Sequence, residues 1–298
     1  MIRGLVLAGL YIAWNYAFQL FALSIFTYFM ARSGTSLGEL SEILASNRLT
    51  LVGLGSLFFL ILMLRLNPIS EVSLNEVITP YLFENQFYPN FIKGAVLACL
   101  WAFLFLVFGV YKYLGFFVQT ETPAIAVVGL VLKALALFSL IYVDEFVFRQ
   151  KYLDFMRGTV HPIRAFALCG LLYCLAKAVP FYLGLSHMMT LTLLGFWLAL
   201  RRSDDNSFSS GAGLIFGFLA VCHCVFSLPI LGNESQGLAL LRYQIRYDVD
   251  SPWIRYLSGG SGGPLSSVLV QFLLALDISN RLWRQKKTLW EAFRVGLK

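Results

Sequence analysis

The chain has 298 residues, of which 58% are hydrophobic and only 13% are charged. A soluble domain of this length does not need so much apolar surface, so the composition excludes a soluble globular protein and indicates a polytopic membrane protein. The net charge of +7 does not require a nucleic acid partner, because basic residues on the cytoplasmic side of a membrane protein give the same sum.

A spanning helix needs about 20 mostly apolar residues, and by that measure the sequence predicts about eight spans. They cover approximately residues 5–31, 49–66, 91–111, 124–148, 164–183, 186–200, 209–231 and 265–282. The first run has no small-residue cleavage site and is expected to be a retained span. The predicted fold is therefore an all-α transmembrane bundle that forms a single domain over residues 1–298.

Two of the predicted connections are long. Residues 67–90 mix polar and apolar side chains, and we expect them to lie on the membrane surface. Residues 232–263 form a loop after the seventh span, and their glycine-rich end, SGGSGGP, is expected to be flexible.

Basic residues set the predicted orientation, because they concentrate on the cytoplasmic side of membrane proteins. After the eighth span the chain carries Arg281, Arg284, Lys286, Lys287, Arg294 and Lys298. That end is therefore expected to be cytoplasmic, and with eight spans the N-terminus lies on the same side. The Arg201–Arg202 pair after the sixth span agrees with this orientation, and it places residues 232–263 outside.

Charged residues interrupt the fourth apolar run, in the stretch YVDEFVFRQKYL. A charge within a bilayer is costly and by default suggests function. Glu145 and Arg149 are four residues apart and share a helix face, so an intrahelical ion pair is expected. Asp144 is turned by about 100° from Glu145 and is free to face another helix. The alternative is an ordinary cluster of charges at the cytoplasmic end of a helix.

Two later spans also carry polar groups. Lys177 lies in the fifth span, where the alternative is a lysine that snorkels to the nearer interface. His223 lies in the seventh span with Ser227 one turn later, and the alternative is a histidine that packs by hydrogen bonding across helices.

No metal or cofactor is predicted. Cys222 and Cys224 flank His223, but three consecutive helical residues point in three directions and cannot converge on one ion. All five cysteines lie in apolar runs and are expected to be free thiols.

The least costly arrangement of these groups brings them around one hydrated pocket, because each is expensive to bury alone. Asp144 or Glu145 would then pair with Lys177, and His223 would share the same hydrogen-bond network. The hypothesis is a single polar site built from the fourth, fifth and seventh spans.

The order of these motifs resembles the CPBP family (CAAX protease and bacteriocin-processing, or Abi) of intramembrane glutamic proteases, whose relatives include prenyl-protein endoproteases. That family carries E-E-x-x-x-R at the end of one span, F-x-x-x-H in the next and H-x-x-x-N two spans later. In this chain DEFVFR, YCLAK and HCVFS stand in those places, and the resemblance covers about residues 125–230. It implies a CAAX-protease-like core in a bacterial plasma membrane.

The resemblance also implies roles. The first acid would activate water, helped by the second-motif histidine, while the last histidine and asparagine would stabilise an oxyanion, and the second acid and arginine would hold the shape of the site. Glu145, Arg149 and His223 match the pattern, whereas Asp144, Lys177 and Ser227 replace its Glu, His and Asn. One missing methylene moves a carboxylate by about 1 Å, and such a shift can cost on the order of 100-fold in rate. A lysine would pair with the acid and weaken it as a base.

Three functional hypotheses follow. The favoured one is a protein with lost or altered peptidase chemistry that binds a membrane-embedded or lipidated partner in the former substrate cavity. The alternative is an active intramembrane endopeptidase that cleaves a membrane-anchored protein, with Glu145 as the base. A transporter has less support, because the sequence has no paired broken helices or internal repeat.

Overall fold

The structure is a computed structural model that describes residues 2–33, 37–66, 86–116, 123–156, 159–181, 183–205, 207, 209–231, 239–246 and 252–284. Within these ranges the chain is mostly helical, so the predicted all-α class is confirmed apart from two short paired strands. The helices and strands, in chain order, are α1 (Ile2–Ser33), α2 (Leu37–Leu66), α3 (Phe87–Val107), β1 (Tyr111–Phe116), α4 (Pro123–Asp144), α5 (Leu153–Met156), α6 (Pro162–Phe181), α7 (Leu185–Asp205), α8 (Ser209–Ala220), β2 (Leu241–Ile245), α9 (Pro252–Ser258) and α10 (Val268–Arg284).

Two π-helical segments continue α-helices without a break. Glu145–Tyr152 joins α4 to α5, and Val221–Val225 extends α8. Short 3₁₀ turns at Gly260–Gly262 and Pro264–Ser266 lead into α10.

Each of the eight predicted apolar segments overlaps a helix. Among the described residues, three helical stretches are long and apolar enough to cross a membrane: Ile2–Phe29, Phe87–Val107 and Ala126–Met156. Arg48–Met63 and Ser209–Val225 are shorter apolar helices. Of the predicted surface segment, residues 67–85 lie outside the described part of the chain, and the remainder begins α3.

The fourth apolar segment does not end near residue 148 as predicted. Its helix continues through the π-helical segment to Met156, so Asp144 and Glu145 lie within a continuous helix and not at its end. Both acids are buried. The alternative of a solvated charge cluster at a helix terminus is therefore wrong.

Glycines allow several helix pairs to pack with their backbones in close approach. A Cβ on Gly94 of α3 would lie 2.1 Å from the carbonyl oxygen of Leu214 in α8. In the other direction, a Cβ on Gly217 of α8 would lie 2.1 Å from the carbonyl oxygen of Phe91. Gly213 and Gly217 form a G-x-x-x-G pattern, which is typical of close helix packing in membranes.

The predicted outer loop contains regular structure. β2 pairs antiparallel with β1, with Tyr111 opposite Ile245, so the loop after α8 is joined to the segment after α3. The glycine-rich end is packed, which corrects the prediction of a flexible segment. Gly263 has a φ of 72°, and a Cβ there would overlap the carbonyl oxygen of Pro229. His187 Nε2 lies 3.0 Å from the carbonyl oxygen of Gly262 and holds this segment against α7.

Replacement of Gly217 by valine should separate α3 from α8. The new side chain meets backbone that cannot move aside, and overpacking of this kind costs about 1–3 kcal/mol. Gly9→Val is the matched control, because Gly9 is also helical and has no neighbour within 4 Å of an added Cβ. Unfolding of both variants in the same detergent should show a loss of stability for Gly217→Val well beyond that of Gly9→Val. Equal losses would contradict the close packing.

Candidate functional site

A buried ion pair joins α4 to α6. Lys177 Nζ lies 2.6 Å from Asp144 Oδ2 and donates to Oδ1 at 2.9 Å, so one ammonium bridges both carboxylate oxygens. Asp144 is 1% exposed and Lys177 is 2% exposed. The predicted pairing of these two residues is confirmed, and the alternative of a lysine that snorkels to the interface is wrong.

The same carboxylate is tied to α1 and α2. The Tyr11 hydroxyl donates to Asp144 Oδ1 at 3.0 Å and lies 2.9 Å from Ser56 Oγ. Ser56 Oγ is also 2.9 Å from the carbonyl oxygen of Val52 and 3.5 Å from Asn15 Oδ1. A continuous polar network, which we call the Asp144 network, therefore crosses α2, α1, α4 and α6 through one carboxylate.

Sequence reasoning missed Tyr11, Asn15 and Ser56, although a signal was present. Each is a polar residue in an otherwise apolar run. Asn15 lies in AWNYAF, Tyr11 lies two residues before that stretch, and Ser56 lies in GLGSLFF. Neutral polar residues are common in membrane helices, so they attract less attention than charges do.

Glu145 and Arg149 form the predicted intrahelical pair, with Arg149 Nη1 3.0 Å from Glu145 Oε1. The guanidinium carbon of Arg149 lies 4.3 Å from the ring centre of Tyr173 on α6, a cation–π contact. Among the described residues, Arg149 Nε and Nη2 have no hydrogen-bond partner although both are buried. Arg149 is thus held by one acid and one aromatic ring, in a position that links α6 to the π-helical segment.

His223 lies far from this pair, as the packing of α4 on α8 shows. These helices run antiparallel, with Phe138 and Phe216 in ring contact at 5.3 Å between centroids. Near one end of the contact, a Cβ on Gly211 would lie 3.4 Å from Glu145 Oε1, so Gly211 is the neighbour of the acid. His223 is about 18 Å further along the helix that begins with α8, at 1.5 Å per residue.

A charged neighbour of His223 lies near the middle of α4, away from the two acids. Lys133 acts electrostatically on His223, and Lys133 is about 16 Å from Asp144 along α4. His223 therefore does not share a pocket with the acid pair and Lys177, and neither does Ser227, which follows it. That part of the single-pocket hypothesis is wrong. The structure brings four of the six predicted site residues together: Asp144, Glu145, Arg149 and Lys177.

Ser227 has a structural role at a helix end. Its φ is 54°, in the left-handed region, and it follows Phe226, the C-cap residue of the π-helical segment. The Leu228 amide donates to the carbonyl oxygen of Cys222 at 2.8 Å and closes that turn. A left-handed residue at this position is a common helix stop, so the geometry gives Ser227 a backbone function.

The first and the third motif each lie partly in a π-helical segment. Glu145–Tyr152 includes Glu145 and Arg149, and Val221–Val225 includes His223. π-helical turns are rare in proteins as a whole, and those that occur are frequently found at functional sites. Among the described residues, no group of three or more His, Cys, Asp and Glu side chains could hold a metal ion.

Comparisons with protein families, with curated proteins and with solved structures gave no match to this chain.

Loss of the lysine should destabilise the fold strongly. Lys177→Ala leaves the Asp144 carboxylate buried and half-paired, which costs about 3–5 kcal/mol for a broken buried pair. The double variant Asp144→Asn with Lys177→Met removes both charges and should recover much of that loss. Unfolding in detergent gives the comparison, and Lys93→Ala, on an exposed lysine, is the control. Equal stability of the single and double variants would contradict a tight pair.

Proposed function

We propose that this protein is a divergent, non-hydrolytic relative of the CPBP intramembrane proteases that binds a membrane-embedded or lipidated partner. The proposal is carried by the hydrogen bonds that occupy the Asp144 carboxylate. Asp144 stands where the family's motif has its water-activating acid. Both of its oxygens accept bonds from Lys177, and one also accepts a bond from Tyr11. A carboxylate that is occupied in this way has little capacity to take a proton from water.

The positions of His223 and Ser227 support the same reading. An oxyanion donor must lie about 3 Å from the developing charge, and removal of one donor costs on the order of 10²–10³ in rate. His223 is about 18 Å along its helix from Gly211, which contacts Glu145. If Glu145 acted as the base instead, its neighbours would be Arg149 and Gly211. The histidine that the family mechanism requires would not be among them.

Eight crossings with both termini cytoplasmic are part of the proposal. Segments predicted to be cytoplasmic meet at one end of the bundle, where Arg201 Nη2 donates to Asn90 Oδ1 at 2.6 Å and Arg281 Nη1 pairs with Asp204 at 2.8 Å. Segments predicted to be outside meet at the other end, where β1 pairs with β2. These contacts support a single alternating topology.

Cysteine labelling should verify this orientation. Trp253 on α9 and Trp283 near the end of α10 are both strongly exposed, at 77% and 81%. A membrane-impermeant maleimide should label Trp253→Cys in intact cells, and it should label Trp283→Cys only after permeabilisation. The unsubstituted protein measures the background from the native cysteines. Labelling of Trp283→Cys in intact cells would contradict the proposed topology.

Affinity purification should distinguish binding from cleavage. The tagged wild type and Glu145→Gln, which keeps an acceptor for Arg149, are purified in mild detergent and their partners are identified by mass spectrometry. We expect the same stoichiometric partner on both forms and no truncated product in wild-type membranes. Asp154→Asn, a change from acid to amide at an exposed position, is the control.

Two outcomes of that purification would contradict the proposal. A protein enriched only on Glu145→Gln, together with its truncated product in wild-type membranes, would show an active endopeptidase. The absence of a stoichiometric partner on either form would remove the binding function.

A further inference from the structure

A cleft of about 290 Å³ lies between two pairs of helices, away from the Asp144 network. α8 packs on α3, α10 packs on α7, and the cleft is the space between these pairs. On α10 its wall consists of Val270, Leu273, Leu274 and Asp277, which share one helix face. The opposite wall includes Ile215 of α8.

Polar bonds hold α10 to α7 along the edge of the cleft. Gln271 Nε2 donates to the Ser186 carbonyl oxygen at 3.0 Å and to Thr190 Oγ1 at 3.1 Å. Six residues further along α10, Asp277 Oδ2 accepts a hydrogen bond from Trp197 Nε1 at 2.6 Å. These bonds fix α10 on α7, so the two helices form one rigid wall of the cleft.

Water is a poor occupant of this space. A buried water needs two to four polar partners, and the described lining is apolar or aromatic except for Asp277. Asp277 Oδ2 already accepts bonds from Trp197 and from Arg281 Nε at 2.7 Å. A cleft of this chemistry therefore favours a hydrocarbon occupant.

The cleft opens on a surface that bulk lipid would touch. Leu97 of α3 and Leu273 of α10 flank it and are 49% and 54% exposed. α3 is one of the three helices that are long and apolar enough to cross a membrane. An acyl chain could enter sideways from the bilayer and bury itself between these two residues.

The end of the cleft at Asp277 is basic and aromatic. Arg281 follows Asp277 by one turn and is paired with Asp277 and Asp204, so the charge available to a ligand on α10 comes from the exposed Arg284. The sequence continues with Lys286 and Lys287. Trp283 lies at the same end of α10 and is exposed, as tryptophans at a membrane interface commonly are. Basic clusters directly after a membrane helix attract anionic lipid head groups.

We infer that the cleft holds an acyl chain of an anionic bilayer phospholipid, with its phosphate beside the basic end of α10. This inference does not depend on whether the Asp144 network is catalytic. It assigns α10, which lies outside the CPBP-like region, a role in fixing a lipid against the core.

Photolabelling tests the inference directly. The protein is reconstituted into phosphatidylcholine vesicles that contain phosphatidylglycerol with a diazirine in one acyl chain, then irradiated and mapped by mass spectrometry. We expect labels on buried wall residues such as Leu219. Ile215→Trp fills the cleft and should reduce this labelling by about tenfold. Leu273→Trp, at the exposed mouth, provides a second variant that does not disturb buried packing.

The matched control is Ile92→Trp, because Ile92 is 60% exposed on α3 and does not line the cleft. Its wall labelling should equal that of the wild type. Labels confined to exposed α3 positions would overturn the inference. Equal labelling by a diazirine phosphatidylcholine would overturn the assignment of an anionic head group. A dimer on native mass spectrometry that Leu273→Trp dissociates would show that a second copy of the chain occupies the cleft.

Discussion

The buried bond between Asp144 and Lys177 is the constraint on which the arrangement of the core depends. Two charges in a low-dielectric interior are stable only if each has its partner and its remaining hydrogen-bonding groups are satisfied. Here the requirement recruits Tyr11 and Ser56, so that four helices must meet at one level. A shift of α6 by one turn would leave an unpaired charge inside the bundle. We therefore expect the pair to contribute to the specificity of helix position more than to net stability.

The antiparallel packing of α4 on α8 decides which polar groups can cooperate. Contacts at Glu145 with Gly211 and at Phe138 with Phe216 fix the register of the two helices. That register assigns His223 to the level of Lys133, at the far end of the interface from the acids. Motifs that follow one another closely in the sequence can therefore be about 18 Å apart along the packed helices.

Much of the fold could be predicted from the sequence because long apolar runs leave a helix as the only economical structure in a bilayer. The Glu145–Arg149 pair followed from helix periodicity, and the Asp144–Lys177 pair followed from the cost of isolated charges.

The position of His223 could not be predicted, because the depth of a residue depends on where its helix begins. α8 begins close to Glu145, so a histidine near its C-terminal end is carried away from the acids. The role of Tyr11 was missed because a hydroxyl in an apolar helix has many possible partners.

The packing of the glycine-rich segment shows the same limit in another form. SGGSGGP has the composition of a flexible linker, yet Gly263 takes a left-handed φ against Pro229 and Gly262 accepts a contact from His187. Glycine permits both freedom and close approach, and composition alone does not distinguish them. Only the neighbours of the segment decide which property is used.

The two departures from the protease pattern that lie in the core are complementary in length. Asp144 carries its carboxylate one methylene closer to its own backbone than a glutamate would, and Lys177 reaches further from α6 than a histidine would. The shorter acid and the longer base therefore meet between α4 and α6, with Nζ bridging both carboxylate oxygens. The Lys177 ammonium thus lies against both oxygens of Asp144, and the two side chains form a fixed ion pair between the helices.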